Sequence, residues 1–340
     1  MKPIELNSSH PTREVKSNSR QSVSDSFKSY LESQGKSKST IIRYNAFVLD
    51  FLAYLDRDNV EIENVSAKEV LSYLAHLQKP IKEGGRGQEN KTRAIRLGVI
   101  KQFFYYQIEQ KIRTDNPIAH LKIRGIKAQK LYPLLNQKEL EQIYCNYTIP
   151  TKDDPKANKN WFTRYKLSRE RNKVIISLMI NQALTTAEVN RIELNDLKLR
   201  EGEIYIKGTR KSQERTLKLK SNQILDLMEY TLHVRLLFLE CQEDQNTKKL
   251  FLSVPTLGKQ KTNKDTLSIW KGLSKEVKKQ NPKFINFKQV RTTIITKWLK
   301  QYNLREVQYM AGHKYISSTE AYLVNNTEDL QEAIDQFHPY

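Results

Sequence analysis

A loss of helical patterning between Asp115 and Pro133 constrains the fold of this chain more than any other feature. Apolar residues recur at helical spacing on both sides of this segment, whereas Pro117 and Pro133 bound a stretch without that spacing. The stretch also carries basic residues, namely Lys122, Arg124, Lys127 and Lys130. Proline and repeated like charge favour an extended connection. Because 340 residues exceed the roughly 250–300 at which one core usually stops growing, the sequence predicts two domains joined by a basic linker over residues 114–135.

The first domain is predicted to be an all-α module of four helices over residues 22–113. The approximate helix ranges, taken from apolar spacing, are 24–35, 40–55, 66–77 and 90–110. Ser66 and Glu69 have the spacing of a capping box, in which each side chain bonds a free amide at the start of a helix. Residues 1–21 are rich in Ser, Asn, Arg and Lys without apolar periodicity, so a disordered leader is expected there.

The second domain is predicted over residues 136–326 as mainly helical, with a small β-hairpin or sheet. Two short alternating segments, 203–207 and 215–219, flank a polar loop and indicate the hairpin. The remaining segments favour helices, including an apolar one at 174–180 and a short one around Glu188. Residues 327–340 form a predicted tail helix, which either docks on a neighbouring protomer or packs on its own domain. Its apolar residues at helical spacing are Leu330, Ile334 and Phe337.

Composition excludes several classes of protein. The net charge of +20 and pI near 9.6 favour a polyanionic partner, because Lys and Arg neutralise phosphates. No run approaches the roughly 18 apolar residues of a membrane span, and the N-terminus lacks the apolar segment of a secretory signal. Cys145 and Cys241 lie far apart with no Cys-x-x-Cys pair, which argues against a disulfide scaffold and a zinc finger. We expect a cytoplasmic protein with no membrane partner.

The most informative motif lies near the carboxyl end. Lys288 and Arg291 are spaced by one helical turn, and residues 312–322 read Gly-His-Lys-Tyr-Ile-Ser-Ser-Thr-Glu-Ala-Tyr. This pattern resembles the tyrosine recombinase (phage integrase) family, whose second signature box is His-or-Lys-x-x-Arg. Its third box is Leu-Gly-His-x-x-Ile-x-x-Thr-x-x-Tyr, and the glycine, histidine, threonine and tyrosine all match in register. The resemblance extends over nearly the whole chain and is closest to Xer-like enzymes and to integrases of Bacteroides-type mobile elements.

The resemblance implies a site-specific DNA recombinase with a SAM-like core-binding domain and a catalytic domain of the DNA breaking-rejoining type. Tyr322 would attack a phosphodiester and remain joined to the 3′ phosphate, while Arg291, Lys288 and His313 stabilise the developing negative charge. Lys207 in the hairpin would protonate the leaving 5′ oxygen, with Lys211 as the alternative. The family uses double-stranded DNA sites and a homotetramer on DNA. It needs no metal, cofactor or small-molecule substrate.

The first signature box departs from the family pattern. The family has Thr-Gly-Leu-Arg-x-x-Glu-Leu, whereas this chain places Thr185 at the arginine position and Glu188 at the acidic one. Losing one donor at a developing oxyanion typically costs about 2.7–4 kcal/mol. Three interpretations remain open. Another cation fills the space, with Arg191 the nearest candidate; the enzyme works with a weaker clamp, as some Bacteroides-type integrases do; or the chain is an inactive paralogue. Glu188 is expected to hold a neighbouring basic side chain.

Two other functions compete with recombination. A recombinase-derived accessory or regulatory protein would bind DNA with weak or no catalysis, and the residue at position 185 is the feature that favours it. A basic RNA-binding protein is the third interpretation, but the sequence contains no RNA-recognition signature.

Overall fold

The computed structural model describes residues 13–126, 132–255, 259 and 269–323, with side chains from residue 22 onward. The chain forms two compact units, Met1–Lys130 and Leu131–Tyr340, which divide inside the predicted linker. Each unit has its own apolar core. Within the described ranges, no helix is both long enough and apolar enough to cross a membrane.

The described residues of the first unit form four α-helices, connected by segments of 4 to 11 residues that include 3-10 turns. These are α1 (Arg13–Ser33), α2 (Lys38–Leu55), α3 (Ala67–Gln78) and α4 (Asn90–Glu109). The predicted capping box is present, since the Ser66 amide donates to Glu69 Oε2 at 2.8 Å and the Lys68 amide donates to Ser66 Oγ at 3.2 Å. Aromatic rings from α1, α2 and α4 meet in the core, where Phe27, Phe51, Phe103 and Phe104 are fully buried.

The start of α1 differs from the sequence expectation. The disordered leader was expected to reach residue 21, but the helix already begins at Arg13. Residues 13–21 are polar apart from Val15, and several are good helix formers, so they extend the helix without contributing an apolar stripe. Residues 1–12 lie outside the described part of the chain.

The second unit surrounds a three-stranded antiparallel sheet with helices. Helices α5 (Gln137–Cys145), α6 (Phe162–Gln182) and α7 (Thr186–Val189) precede the strands β1 (Leu197–Lys198), β2 (Glu203–Ile206) and β3 (Arg215–Lys218). After the sheet come α8 (Ser221–Glu229), a π-helical turn (Tyr230–Val234), α9 (Arg235–Glu240), α10 (Ile269–Gln280), α11 (Phe287–Gln301), α12 (Leu304–Ala311) and α13 (Ser317–Glu320). The mainly helical fold with a small sheet is as predicted, whereas the tail helix at 327–340 falls outside the described residues.

The sheet register decides which side chains of β3 enter the core. The strands have the order β1-β2-β3, with Ile206 opposite Arg215 and Ile204 opposite Leu217. Because side chains alternate along a strand, Arg215 points inward with Leu217, and both are buried. The hairpin was predicted, but β1 was not. Its two residues form a strand only by pairing with β2.

Candidate active site

Arg291 is anchored by the ends of two other helices. It lies in the second turn of α11, whose start is capped by the Asn286 side chain accepting from the Gln289 amide at 3.0 Å. Its Nη1 donates to the Ala183 carbonyl and its Nη2 donates to the Ala311 carbonyl at 2.7 Å. Carbonyls at helix C-termini lack intrahelical partners and carry partial negative charge, so they suit a guanidinium. The side chain is therefore held in place and is only 11 % exposed.

His313 follows the glycine that ends α12. Gly312 adopts a left-handed conformation with φ of 68°, and the His313 amide donates back to the Gln308 carbonyl at 3.0 Å. The ring places Nδ1 2.9 Å from Thr319 Oγ1 and Nε2 3.2 Å from Arg291 Nη2. A guanidinium can only donate, so Nε2 is the acceptor and Nδ1 carries the proton. Burial, reinforced by the charges of Arg291 and Arg215, lowers the pKa of His313 to about 4, so the ring is neutral at pH 7.

Tyr322 completes this cluster. Its ring stacks on His313 with centroids 5.6 Å apart and planes 18° from parallel. Its amide donates to the Thr319 carbonyl at 3.0 Å, which fixes the backbone after α13. Burial lowers the pKa of the Arg291 guanidinium below its usual value, whereas the charge of Glu188 and the interaction with Tyr322 act in the opposite direction. The structure thus brings Arg291, His313 and Tyr322 together, as the sequence motif required.

Thr185 and Glu188 close one side of the cluster. Thr185 is the N-cap of α7, and Glu188 Oε2 accepts from both the Thr185 amide at 2.8 Å and its hydroxyl at 2.9 Å. Glu188 Oε1 accepts from Arg215 Nη1 at 2.7 Å, and Oε2 lies 3.8 Å from Arg291 Nη1. Burial opposes ionisation of Glu188, but the hydrogen bond and charge of Arg215, together with the charge of Arg291 and the Thr185 amide, hold the pKa of the carboxyl below its usual value. Glu188 therefore holds a basic side chain, as expected.

Arg215 is the residue that the sequence reasoning missed. Its guanidinium has no exposed surface and sits beside Glu188. Arg191, the candidate drawn from the sequence, is exposed on the surface after α7, so the cation beside the first-box carboxylate is Arg215 instead. A signal was present in the hairpin, because alternation along 215–219 puts an arginine on the same face as two leucines. A buried arginine on an apolar strand face needs a partner in the interior.

Two of the candidate lysines have different surroundings. Lys288 is exposed at the rim of a cavity of about 270 Å³ that is also lined by Thr185 and Arg291. Lys207 lies at the end of β2, where its Nζ is 2.6 Å from Glu193 Oε2 and 3.6 Å from Asp196 Oδ1. The hydrogen bond to Glu193 raises the pKa of the Lys207 ammonium.

The hairpin loop brings the Lys207 region next to His313. The Gln213 amide donates to the Gly312 carbonyl at 3.0 Å, and Ser212 pairs with His313 as an isolated β-bridge. Lys211 is exposed in this loop, and its amide donates to Thr209 Oγ1 at 3.2 Å. In the parts of the chain that the structure covers, no group of three or more His, Cys, Asp or Glu side chains could hold a metal ion.

A phenol, an imidazole and guanidinium groups in one cluster suit covalent attack on a phosphodiester, in which charge develops on the phosphate oxygens. Comparison with protein families agrees with this chemistry. The protein-family model described as "Phage integrase family" matches residues 156–329, and the family model described as "Phage integrase, N-terminal SAM-like domain" matches residues 25–111. The chain belongs to the phage integrase family. Members of this family are tyrosine recombinases, enzymes that cut and rejoin DNA at specific sites, so the predicted family and activity class are confirmed.

Individual relatives are distant but match over almost their whole length. The tyrosine recombinase XerC of Psychromonas ingrahamii is 26 % identical over 324 residues, which cover 94 % of this chain and 97 % of XerC. The crystal structure of the XerH site-specific recombinase bound to palindromic difH substrate matches with a TM-score of 0.63 at 18 % identity, covering 97 % of this chain and 91 % of that one. The Tn1549 transposon integrase in complex with circular intermediate DNA matches with a TM-score of 0.59 at 16 % identity, over 88 % and 94 % of the two chains.

Proposed function

We propose that this protein recombines double-stranded DNA at specific sites through a 3′-phosphotyrosine intermediate formed by Tyr322. The observation that carries the proposal is the convergence of Tyr322, His313 and Arg291, three groups from separate segments that share one cluster. Folding holds these groups close before DNA arrives, and such preorganisation is what makes electrostatic stabilisation effective.

In the proposed reaction, the Tyr322 phenol gives up its proton to water, Oη attacks the scissile phosphorus, and the bond to the 5′ oxygen breaks. Arg291 donates to the non-bridging oxygens, for which its planar fork is well suited. His313 and Lys288 donate to the same phosphate. An anionic phosphate beside His313 favours the charged imidazolium, which allows Nε2 to change from acceptor to donor. The phosphotyrosine keeps the bond energy, so a 5′ hydroxyl from another strand can reverse the step without ATP.

Lys207 is the proposed general acid for the leaving 5′ oxygen. Its ammonium is ion-paired with Glu193 and Asp196 in the structure without DNA. Both Lys207 and Glu193 are partly exposed, and an ion pair that is open to solvent is weak. The pair can therefore open when a phosphate competes for the ammonium, and Lys211 remains the alternative acid.

Duplex DNA sites, a homotetramer on DNA and a cytoplasmic location complete the proposal. The net charge of +20 supports a polyanionic partner. The XerH and Tn1549 relatives were crystallised on DNA, one on difH substrate and the other on circular intermediate DNA. Exchange of strands between two sites needs four cleavage events, which a tetramer supplies.

A covalent-trapping experiment tests the activity. Binding sites are selected from random duplex DNA, and the selected site is synthesised with single nicks tiled along each strand, so that loss of a short fragment traps the cleaved complex. We expect a protein–DNA adduct that resists denaturation and in which the DNA is covalently attached to Tyr322. Tyr322→Phe should abolish the adduct, whereas Tyr315→Phe, a change at an exposed tyrosine nearby, should preserve it.

The same experiment separates recombination from the accessory-protein alternative, which the presence of Thr185 at the first-box arginine position favours. Tight binding to the selected site without an adduct at any nick position would overturn the recombinase proposal. It would leave a recombinase-derived DNA-binding protein as the remaining function.

A further inference from the structure

The buried guanidinium of Arg215 has an incomplete set of hydrogen bonds. Its Nη1 donates to Glu188 Oε1 at 2.7 Å, but Nε and Nη2 are buried without any hydrogen-bond partner among the described residues. Leaving a buried donor unpaired costs about 1–3 kcal/mol, and more for a charged group. Because buried polar groups in native proteins are nearly always paired, two such donors on one side chain require an explanation.

The unpaired donors form one edge of the guanidinium. Nε and Nη2 lie side by side on the edge away from Nη1, and this edge is a fork that fits two oxygens of one phosphate. Glu188 occupies only Nη1. The free edge of Arg215 therefore has the geometry of an anion site, and the bond to Glu188 keeps the group oriented.

Arg215 belongs to the cluster around Tyr322. Arg215 is close enough to lower the pKa values of both His313 and Arg291 by its charge. It also packs against Gly312, where a Cβ atom would lie 2.2 Å from Arg215 Nη1. Glycine at position 312 therefore has two roles. It permits the left-handed turn before His313, and it leaves room for the Arg215 guanidinium.

Other buried arginines of the second unit show what a purely structural role looks like. Arg171 donates through Nη1 to the Leu252 carbonyl at 2.7 Å and through Nε and Nη2 to Asn172 Oδ1. Arg235 donates through Nε and Nη2 to the Lys249 carbonyl. Both direct the same fork at protein oxygens, whereas no oxygen in the described part of the chain accepts from the fork of Arg215.

We propose that Arg215 is a catalytic residue whose Nε and Nη2 bind a non-bridging oxygen of the scissile phosphate, supplying the guanidinium that Thr185 cannot. The inference rests on the proposed function. Without DNA, Glu188 offsets one of the two positive charges of Arg215 and Arg291. One positive charge is left for the phosphodiester anion. The second arginine thus reaches the site from a strand, and the usual position on the first-box helix carries a capping threonine.

The test compares Arg215→Gln with the wild-type protein in single-turnover cleavage of the nicked site. We expect cleavage to fall by about 10²–10³-fold, the typical effect of losing one donor at a developing oxyanion, with DNA binding unchanged. Adding Thr185→Arg to the Arg215→Gln protein should restore part of the rate. Arg171→Gln is the matched control, a buried-arginine change away from the phosphate whose folding cost is not repaired by Thr185→Arg.

A chemical change in the substrate distinguishes phosphate contact from a structural effect. A methylphosphonate at the scissile position replaces one charged oxygen with a methyl group. The loss of cleavage rate caused by Arg215→Gln should be smaller on this neutral substrate than on the phosphodiester, because less negative charge remains to be stabilised. A deficit of the same size on both substrates, together with no rescue by Thr185→Arg, would overturn the proposal.

A second pair of variants covers the case in which Arg215→Gln fails to fold. Glu188→Gln removes the carboxylate alone, and the double variant Glu188→Gln, Arg215→Gln then removes the guanidinium without leaving Glu188 buried and unpaired. The double variant should cleave more slowly than Glu188→Gln, and equal rates would refute a catalytic Arg215. Wild-type cleavage is measured throughout. If the wild-type protein does not cleave, the proposed function is wrong. If it cleaves and the Arg215 variants cleave at the same rate, only this inference is wrong.

Discussion

Protonation of His313 is expected to destabilise the second unit as the pH falls below neutral. The folded pKa of about 4 is lower than the value of about 6.5 in an unfolded chain, so the unfolded state binds the proton more readily. The stability associated with a neutral ring is complete above pH 6.5 and is lost as the pH falls towards 4. Between pH 7.5 and pH 5.0, this linkage corresponds to a loss of about 2 kcal/mol.

Urea unfolding followed by tryptophan fluorescence measures this effect selectively. All three tryptophans, Trp161, Trp270 and Trp298, lie in the second unit, so the signal reports on that unit alone. Other groups also titrate, and the informative quantity is therefore the difference between wild type and His313→Gln. The free energy of unfolding of His313→Gln should fall by about 2 kcal/mol less than that of wild type over this pH range. His233→Gln, a change at an exposed histidine, should show the wild-type pH dependence. Identical pH dependence for wild type and His313→Gln would refute the reasoning.

Two further predictions follow from the contacts around the site. Gly312→Ala should lower the stability of the second unit by about 2–4 kcal/mol, from left-handed strain and collision with Arg215. Gly202→Ala, with the same backbone strain but only an ordinary contact at 3.4 Å, should cost about 1–2 kcal/mol. Urea midpoints measure both, and equal losses would contradict the collision. Glu193→Gln should lower the pKa of Lys207, leave the urea midpoint of the second unit nearly unchanged, and raise single-turnover cleavage by up to about fivefold. Unchanged or slower cleavage would argue against release of Lys207 as a step.

Local patterns in the sequence predicted the elements that depend on local forces. The capping box of Ser66 and Glu69 forms within one turn of helix, so its spacing identifies the helix start without reference to the rest of the fold. The strand β1 is different, because its two residues are strand only through pairing with β2. The extension of α1 to Arg13 was missed for a third reason, since it adds helix without adding an apolar stripe.

The sequence by itself determined which groups we propose as reactive. The spacing from Lys288 to Arg291 and the motif at 312–322 identified the family. Residues that are close in the chain stay close in any fold that keeps the same local elements, so a sequence motif preserves their arrangement. Only the tertiary structure decided that Arg215 lies beside Glu188 in this cluster, and that His313 is neutral. Arg215 lies 30 positions beyond Thr185 in the chain, and the register of β3 turns its side chain inward. A gap in a charge cluster can be filled from any element that passes nearby, and the pKa of a ring depends on which charges and how much burial the packing places around it.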